Sequence, residues 1–362
     1  MSSKPILLCA GGTGGHLFPA QALSHALRQR GATVHLVTDA RALKYAGDFP
    51  ASAIHAVPAA TPTGGSVLGK IKAALRIGLG LLAARKLLRK INPGCVVGFG
   101  GYPTVPPLLA AQQLRIPTLL HEQNAVIGRA NRLLARRATR IGTGFPDVGG
   151  LSADMRAKAR YVGNPLRPNV LAAAHEPMPS FDGGLKLLIT GGSQGARVFS
   201  DIVPAAIALL EPEIRGRLTI IQQARGEDEG RVSAAYKAMN VTAEVAPFFT
   251  DLPHRIAQSH LVIGRSGAST VSELAAIGRA SILVPLPGAI DQDQAANAAI
   301  LANIGGAQLI RQPDFTPQWL AEALKSLIDN PSDLTRQAAA AKSAGITDAA
   351  DRLAELVLSL AQ

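Results

Sequence analysis

Cysteine is almost missing from this 362-residue chain: Cys9 and Cys95 are the two it has, each inside a short apolar run. Both read as small buried hydrophobes and offer neither a disulfide framework nor zinc-ligand spacing. Aromatic residues are 4% of the chain, too few to build platforms on which bases stack. No apolar run reaches the ~18 residues a spanning helix needs. The first apolar run is too short for a secretory h-region and has no cleavage-site pattern. The expectation is a soluble intracellular protein, or one peripheral to a membrane.

Acidic residues are absent between Asp48 and Glu122. Residues 1–165 hold 21 Lys and Arg against 5 Asp and Glu, whereas residues 166–362 hold 16 against 20. A net charge of +12 is thus concentrated in the first half, which suits an anionic partner: a membrane surface, phosphates or nucleic acid. The plainer reading is a basic surface that keeps the protein soluble.

Hydrophobic residues make up 47%, and 36 Gly and 24 Pro punctuate the chain. The length predicts two domains. Short apolar runs (Pro5–Cys9, Thr33–Val37, Cys95–Gly98, Thr118–His121, Arg140–Thr143) alternate with helical patterns such as Leu17–Arg30, which ends at Gly31. This is the β-α-β rhythm of a parallel sheet covered by helices. It restarts at Lys186–Thr190 and continues through Leu218–Gln222, Val241–Val245, Leu261–Gly264 and Ser281–Val284. A Pro-, Gly- and Ala-rich stretch, Asn164–Gly184, reads as the linker. The predicted fold is α/β, with two doubly wound Rossmann-like domains facing across a cleft. Their expected limits are 1–163 and 164–342.

Both halves open with strand, glycine loop and helix. The first loop, Gly11-Gly12-Thr13-Gly14-Gly15-His16, lets a ligand approach the backbone and presents a helix N-terminus to a phosphate. A dinucleotide-binding G-x-G-x-x-G fails on spacing, since counting from Gly12 its third glycine falls on Leu17. Asp39 nevertheless lies where a ribose-binding acid would. The second loop is Gly191-Gly192-Ser193-Gln194-Gly195-Ala196. A third polar turn, Gly264 to Glu273, should start a helix near Ala268 and bring Glu273 within reach of a ribose diol.

Seven collinear stretches are similar to the MurG-type UDP-N-acetylglucosamine:lipid-linked muramyl-pentapeptide N-acetylglucosaminyltransferases. They are GGTGGHLFPA (11–20), GFGGYPTVPP (98–107), LHEQNAVIGRANR (120–132), VGNPLR (162–167), GGSQGAR (191–197), GRSGASTVSELAAIGRASILVPLP (264–287) and DQDQAANA (291–298). The resemblance implies the two-domain GT-B fold and the conversion of lipid I to lipid II in peptidoglycan synthesis. It implies UDP-GlcNAc in the C-terminal domain, with Arg167, Ser193 and the turn Ala268, Ser269, Thr270, Val271, Ser272 and Glu273 on the nucleotide. Phe249 would pack at the uracil and Gln294 meet the sugar. Thr13, Gly14, Gly15 and Asn124 would complete the site from the N-terminal domain. The last helix, within about 343–362, would pack back on that domain.

The implied reaction inverts the sugar C1 as the acceptor's 4-hydroxyl attacks. His16 is the first choice for the base, because its reference pKa of ~6.5 lies near operating pH. Its other reading is a histidine that only binds the acceptor diphosphate. Glu122 and His121 are alternative bases, or a hydrogen-bonded pair supporting their loop. Tyr102 either touches the acceptor or only packs. No cofactor and no metal are expected, although Asp291-Gln292-Asp293 spells D-x-D and Asp293 departs from the family's pattern.

Residues 66–90 place Ile71, Leu75, Leu79 and Leu82 on one helical face among seven basic residues: Lys70, Lys72, Arg76, Arg85, Lys86, Arg89 and Lys90. Such a face suits the anionic cytoplasmic surface of the inner membrane; the alternative is a core-facing helix with a solvated basic end. The expected partners are UDP-GlcNAc, the lipid I acceptor, that membrane surface and a cell-wall synthesis complex, and no nucleic acid. Rival readings are a diacylglycerol glucosyltransferase, a UDP-sugar epimerase and a nucleic-acid-binding protein.

Overall fold

The structure is a computed structural model. It describes residues 4–11, 14–39, 49–59, 67–192, 195–288 and 292–361. The chain forms two compact units, Met1–Arg167 with Thr347–Gln362, and Pro168–Ile346.

The first unit is a parallel sheet of β1 (Ile6–Cys9), β2 (Val34–Thr38), β3 (Ala53–Ala56), β4 (Cys95–Gly98), β5 (Thr118–Glu122), β6 (Arg140–Thr143) and β7 (Ala159–Tyr161). Their order is β3-β2-β1-β4-β5-β6-β7. In the register, Leu8 sits between Leu36 and Val97. Successive residues of β1 face opposite sides, and all four are buried. Ile6 and Leu8 join Leu23 and Leu27 of the Gly14–Gln29 helix and Leu353 and Val357 of the Ala349–Leu360 helix. Leu7 and Cys9 join Ala84, Leu88 and Leu108 on the other face. A strand covered on both faces is why β1 reads as an unbroken apolar run.

The Gly14–Gln29 helix ends as expected at Gly31, which takes φ 79°. The Val67–Ile91 helix packs on the sheet through Gly80, Ala84 and Leu88. Gly80 is required there, since a Cβ would lie 2.0 Å from the Pro58 carbonyl oxygen. The packed face is therefore not the predicted stripe: Leu75, Leu79 and Leu82 are 66%, 62% and 65% exposed. The side chain of Ile71 lies outside the described residues.

The second unit repeats the plan with β8 (Leu185–Thr190), β9 (Leu218–Gln223), β10 (Thr242–Ala246), β11 (Leu261–Gly264), β12 (Ala280–Leu283) and β13 (Ala307–Leu309). The order is β10-β9-β8-β11-β12-β13, again all parallel.

The first compact unit runs to Arg167, four residues past the expected limit of 163. The extra residues stay with the first sheet because Asn164 donates to the Gln123 carbonyl and His121 bonds the Gly163 carbonyl. The supposed linker Asn164–Gly184 is also partly helical, over Pro168–Ala173 and Phe181–Gly183.

The closing helix holds Leu353 fully buried, its Cδ1 3.2 Å from where a Cβ on Gly142 would lie. Leu353→Ala is expected to cost about 2–5 kcal/mol, seen as a lower urea midpoint for the first unit. A change below about 1 kcal/mol would show that this helix is not part of the core.

Candidate active site

In an open parallel sheet, ligands sit at the carboxyl ends of the strands, where the strand order reverses. In the first unit that point lies between β1 and β4. His16, in the first turn of the helix after β1, is half-buried there. Its Nδ1 is 3.0 Å from Gln123 Oε1, just beyond β5. Gly100 and Gly101, after β4, take φ 84° and 75° and lie along the imidazole. A Cβ on either would come within 3.4 Å and 3.3 Å of the ring, so small residues are needed there. Burial lowers the His16 pKa from the usual histidine value; the Gln123 side chain and the Phe99 carbonyl oppose that shift. The neutral, proton-accepting form is thereby favoured.

The neighbouring pair has a different task. His121 is buried, its Nε2 3.0 Å from the Gly163 carbonyl oxygen, and burial takes its pKa to about 4. The Glu122 carboxylate accepts from the Asn124 backbone N–H at 3.0 Å and from its side chain at 3.3 Å. It also accepts from Gly128 N–H at 3.0 Å and Asn131 Nδ2 at 2.8 Å. Burial raises its pKa and these four donors oppose the rise. The Glu122 carboxylate thereby ties Asn124, Gly128 and Asn131 of the 122–131 loop together.

Tyr102 begins a short 3-10 turn (Tyr102–Thr104) and packs half-buried against the core. Arg167 closes the first unit, its guanidinium 4.0 Å above the Phe18 ring. Gly14 opens the first helix and Gly15 is exposed; Thr13 lies outside the described residues.

In the second unit the order reverses between β8 and β11. Gln223, which no motif flagged, ties two loops together there. Its Oε1 accepts from Thr190 Oγ1 at 3.1 Å and Gly191 N–H at 3.0 Å. Its Nε2 donates to the carbonyls of Gly192 at 3.0 Å and Pro247 at 3.1 Å. The glycine loop and the segment entering Phe249 are thus held by one side chain. Phe249 is buried under the Arg255 guanidinium at 4.3 Å. Ser193 lies outside the described residues.

The Ala268–Ile277 helix begins at Gly267, with no side-chain cap. The N–H groups of Ala268, Ser269 and Thr270 have no acceptor within the helix, and a Cβ on Gly267 would meet nothing within 4 Å. Ser269, Thr270 and Ser272 are half-buried; Val271 and Glu273 are buried. Ser266 Oγ donates to the Gln294 carbonyl, Asn297 Nδ2 donates to the Ser266 carbonyl, and Gln294 Oε1 accepts from Leu286 N–H. These bonds fix Gln294 beside the helix start. Asp293 begins the next helix, Asp293–Ala302, while Asp291 lies outside the described residues. Among the described residues no three His, Cys, Asp or Glu side chains gather as a metal site.

Two domain profiles match this chain. The glycosyltransferase family 28 N-terminal domain spans residues 6–143 and the C-terminal domain spans 186–353. Fold and profiles together define a family 28 glycosyltransferase of the GT-B class. A relative from Methylobacterium radiotolerans is 58% identical over 359 residues, 98% of this chain and 97% of its own. It is a UDP-N-acetylglucosamine--N-acetylmuramyl-(pentapeptide) pyrophosphoryl-undecaprenol N-acetylglucosamine transferase. The crystal structure of Acinetobacter baumannii MurG superposes with a TM-score of 0.80 at 30% identity, covering 98% of this chain and 99% of that one. The chain belongs to this MurG family of N-acetylglucosamine transferases. A UDP-GlcNAc 2-epimerase from Neisseria meningitidis matches with a TM-score of 0.68 at 15% identity, over 98% of this chain and 100% of its own, and shares the fold alone.

Glu122→Gln turns one N–H donor of the side-chain amide against N–H groups that need an acceptor. It is expected to cost about 1–3 kcal/mol, measured by urea unfolding. Unchanged stability would show that the carboxylate does not hold the loop.

Proposed function

We propose that this chain transfers N-acetylglucosamine from UDP-GlcNAc to the 4-hydroxyl of N-acetylmuramic acid in undecaprenyl-pyrophosphoryl-MurNAc-pentapeptide, turning lipid I into lipid II. The observation that carries the reading is the 58% identity to a transferase of that name over 98% of the chain. The second unit takes the donor: the Ala268–Thr270 N–H groups face its diphosphate, Glu273 the ribose, the Phe249 backbone the uracil and Gln294 the sugar. The resemblance assigns Ser193 and Arg167 as further donor contacts, and Thr13, Gly14, Gly15 and Asn124 as sugar contacts.

His16 takes the proton as the acceptor oxygen attacks C1 from the face opposite UDP. The new C1–O bond forms as the C1–diphosphate bond breaks, and UDP leaves with the electron pair. Charge gathering on the diphosphate is met by the N–H groups at the helix start. Glu122 and His121 position the loop that carries Asn124, and Tyr102 lines the acceptor side.

The acceptor's lipid requires access to a membrane. Leu75, Leu79 and Leu82 project from the Val67–Ile91 helix beside exposed Arg76, Lys86, Arg89 and Lys90. This face rests on the anionic cytoplasmic surface of the inner membrane, where a cell-wall synthesis complex would meet it. No helix among the described residues is long and apolar enough to cross a membrane.

Labelled UDP-GlcNAc offered with lipid I, with diacylglycerol or alone tests the reaction: label should enter lipid II only. Glucosyl-diacylglycerol, or epimerised donor without acceptor, would replace this reading with a rival. His16→Ala is expected to keep UDP affinity and lose about 10²–10⁴ in kcat. Because burial lowers the His16 pKa, the rate should rise with pH along an acid limb centred below the ordinary histidine value of ~6.5. An acid limb centred above that value would oppose the assignment. Leu79→Asp should weaken binding to phosphatidylglycerol vesicles roughly tenfold or more, read by co-sedimentation; unchanged binding would remove this helix from the membrane contact.

A further inference from the structure

We propose that Gln123 is a positioning residue that fixes the proton of His16 on Nδ1, making Nε2 the nitrogen that receives the acceptor's proton. The inference rests on the reading of His16 as base and specifies which atom does the work.

The orientation of the Gln123 amide is decided by its second partner. One end lies 2.8 Å from the Phe99 carbonyl oxygen. A carbonyl oxygen only accepts, so that end is the NH2 group. The other end, 3.0 Å from His16 Nδ1, is then Oε1, which also only accepts. Nδ1 must therefore carry the hydrogen. A neutral imidazole has one N–H, so the lone pair is on Nε2. Gln123 has little room to turn: it is 5% exposed, and its backbone carbonyl accepts from Asn164 Nδ2 at 3.0 Å.

The other edge of the ring is left clear by a glycine. A Cβ at Gly101 would stand 3.3 Å from His16 Cδ2 and 3.5 Å from Nε2. Any side chain there would cover the nitrogen that holds the lone pair, and φ 75° already disfavours one. The same ring is thus clamped at Nδ1, while the residue flanking Nε2 carries no side chain.

In the transfer step the acceptor O–H bond breaks and its proton moves to Nε2. The oxygen's electron pair forms the bond to C1, and the C1–diphosphate pair departs with UDP. The imidazolium then carries hydrogen on both nitrogens, and Gln123 Oε1 still accepts from Nδ1–H, so the clamp is undisturbed. The groups acting on His16 among the described residues are the Gln123 amide and the Phe99 carbonyl, both uncharged.

The test is ¹⁵N NMR of the labelled full-length protein, with His16 assigned by its loss in His16→Ala. Wild type should show a protonated, pyrrole-like Nδ1 and a pyridine-like Nε2. Gln123→Met should lose that pattern and lower kcat by about 10²-fold, with the KM for UDP-GlcNAc within about twofold. Gln123→Glu places a carboxylate on Nδ1–H, stabilises the imidazolium and should move the acid limb of the pH–rate profile up by about 1–2 units; if either variant folds poorly, the wild-type ¹⁵N pattern decides. A wild-type His16 protonated on Nε2 would overturn the inference, as would Gln123→Met with unchanged kcat. Turnover retained in His16→Ala, beside a wild-type Nδ1–H signal, sinks the base reading and leaves the tautomer assignment standing.

Discussion

Parallel pairing forces every strand of a sheet to end at the same edge. Each strand must then be followed by a crossover, and each crossover helix starts with unsatisfied N–H groups at that edge. Where the strand order reverses, two crossovers leave in opposite directions and nothing covers the edge between them. In the first unit β1 and β4 make that gap, and in the second β8 and β11 make it. The candidate residues collect there because backbone donors and space occur together at such a point.

The gap carries a cost that polar side chains must meet. Loops entering it have carbonyls and N–H groups without strand partners, and burying them unpaired costs about 1–3 kcal/mol each. Each unit meets this with a glutamine at a strand's end. Gln123 spans the Phe99 carbonyl and His16, and Gln223 spans Thr190, Gly191, Gly192 and Pro247. An amide suits the position because it donates at one end and accepts at the other without charge. A carboxylate in the same place could only accept. Glu122, whose neighbours are all N–H donors, is the complementary case.

These constraints explain which features were legible in the sequence. The central strands could be read because burial on both faces makes them unbroken apolar runs; Cys95–Gly98, Arg140–Thr143 and Leu261–Gly264 fall at their expected limits. The edge strands β3, β7 and β13 escaped because Ala53–Ala56, Ala159–Tyr161 and Ala307–Leu309 are short and largely uncovered. The helix start at Ala268 was also readable, and the closing helix at Ala349–Leu360 followed from the resemblance. Gln123, Asn131, Gln223 and Asn297 were not, because their roles are set by partners far along the chain: Gln123 meets His16 across 107 residues. Their one local signal is position, a polar residue just past an apolar strand, which a single sequence does not separate from an ordinary loop residue.

A base that must release its proton after each turnover faces opposing demands. Burial keeps the imidazole neutral and fixes its angle, yet the accepting nitrogen must stay open to a hydroxyl. On the proposal that His16 is the base, its asymmetric enclosure meets both. One edge is closed by the Gln123 amide, anchored on the Phe99 carbonyl, with Gly100 beside Cε1; the Nε2 edge borders Gly101, and both glycines are in the left-handed region. A side chain at 101 would extend the enclosure to the second edge, and removal of the amide would open the first. The glycine pair and the glutamine come from different strand ends, β4 and β5, so neither motif explains the arrangement alone. It exists only because the register of the sheet brings those two ends beside the helix that follows β1.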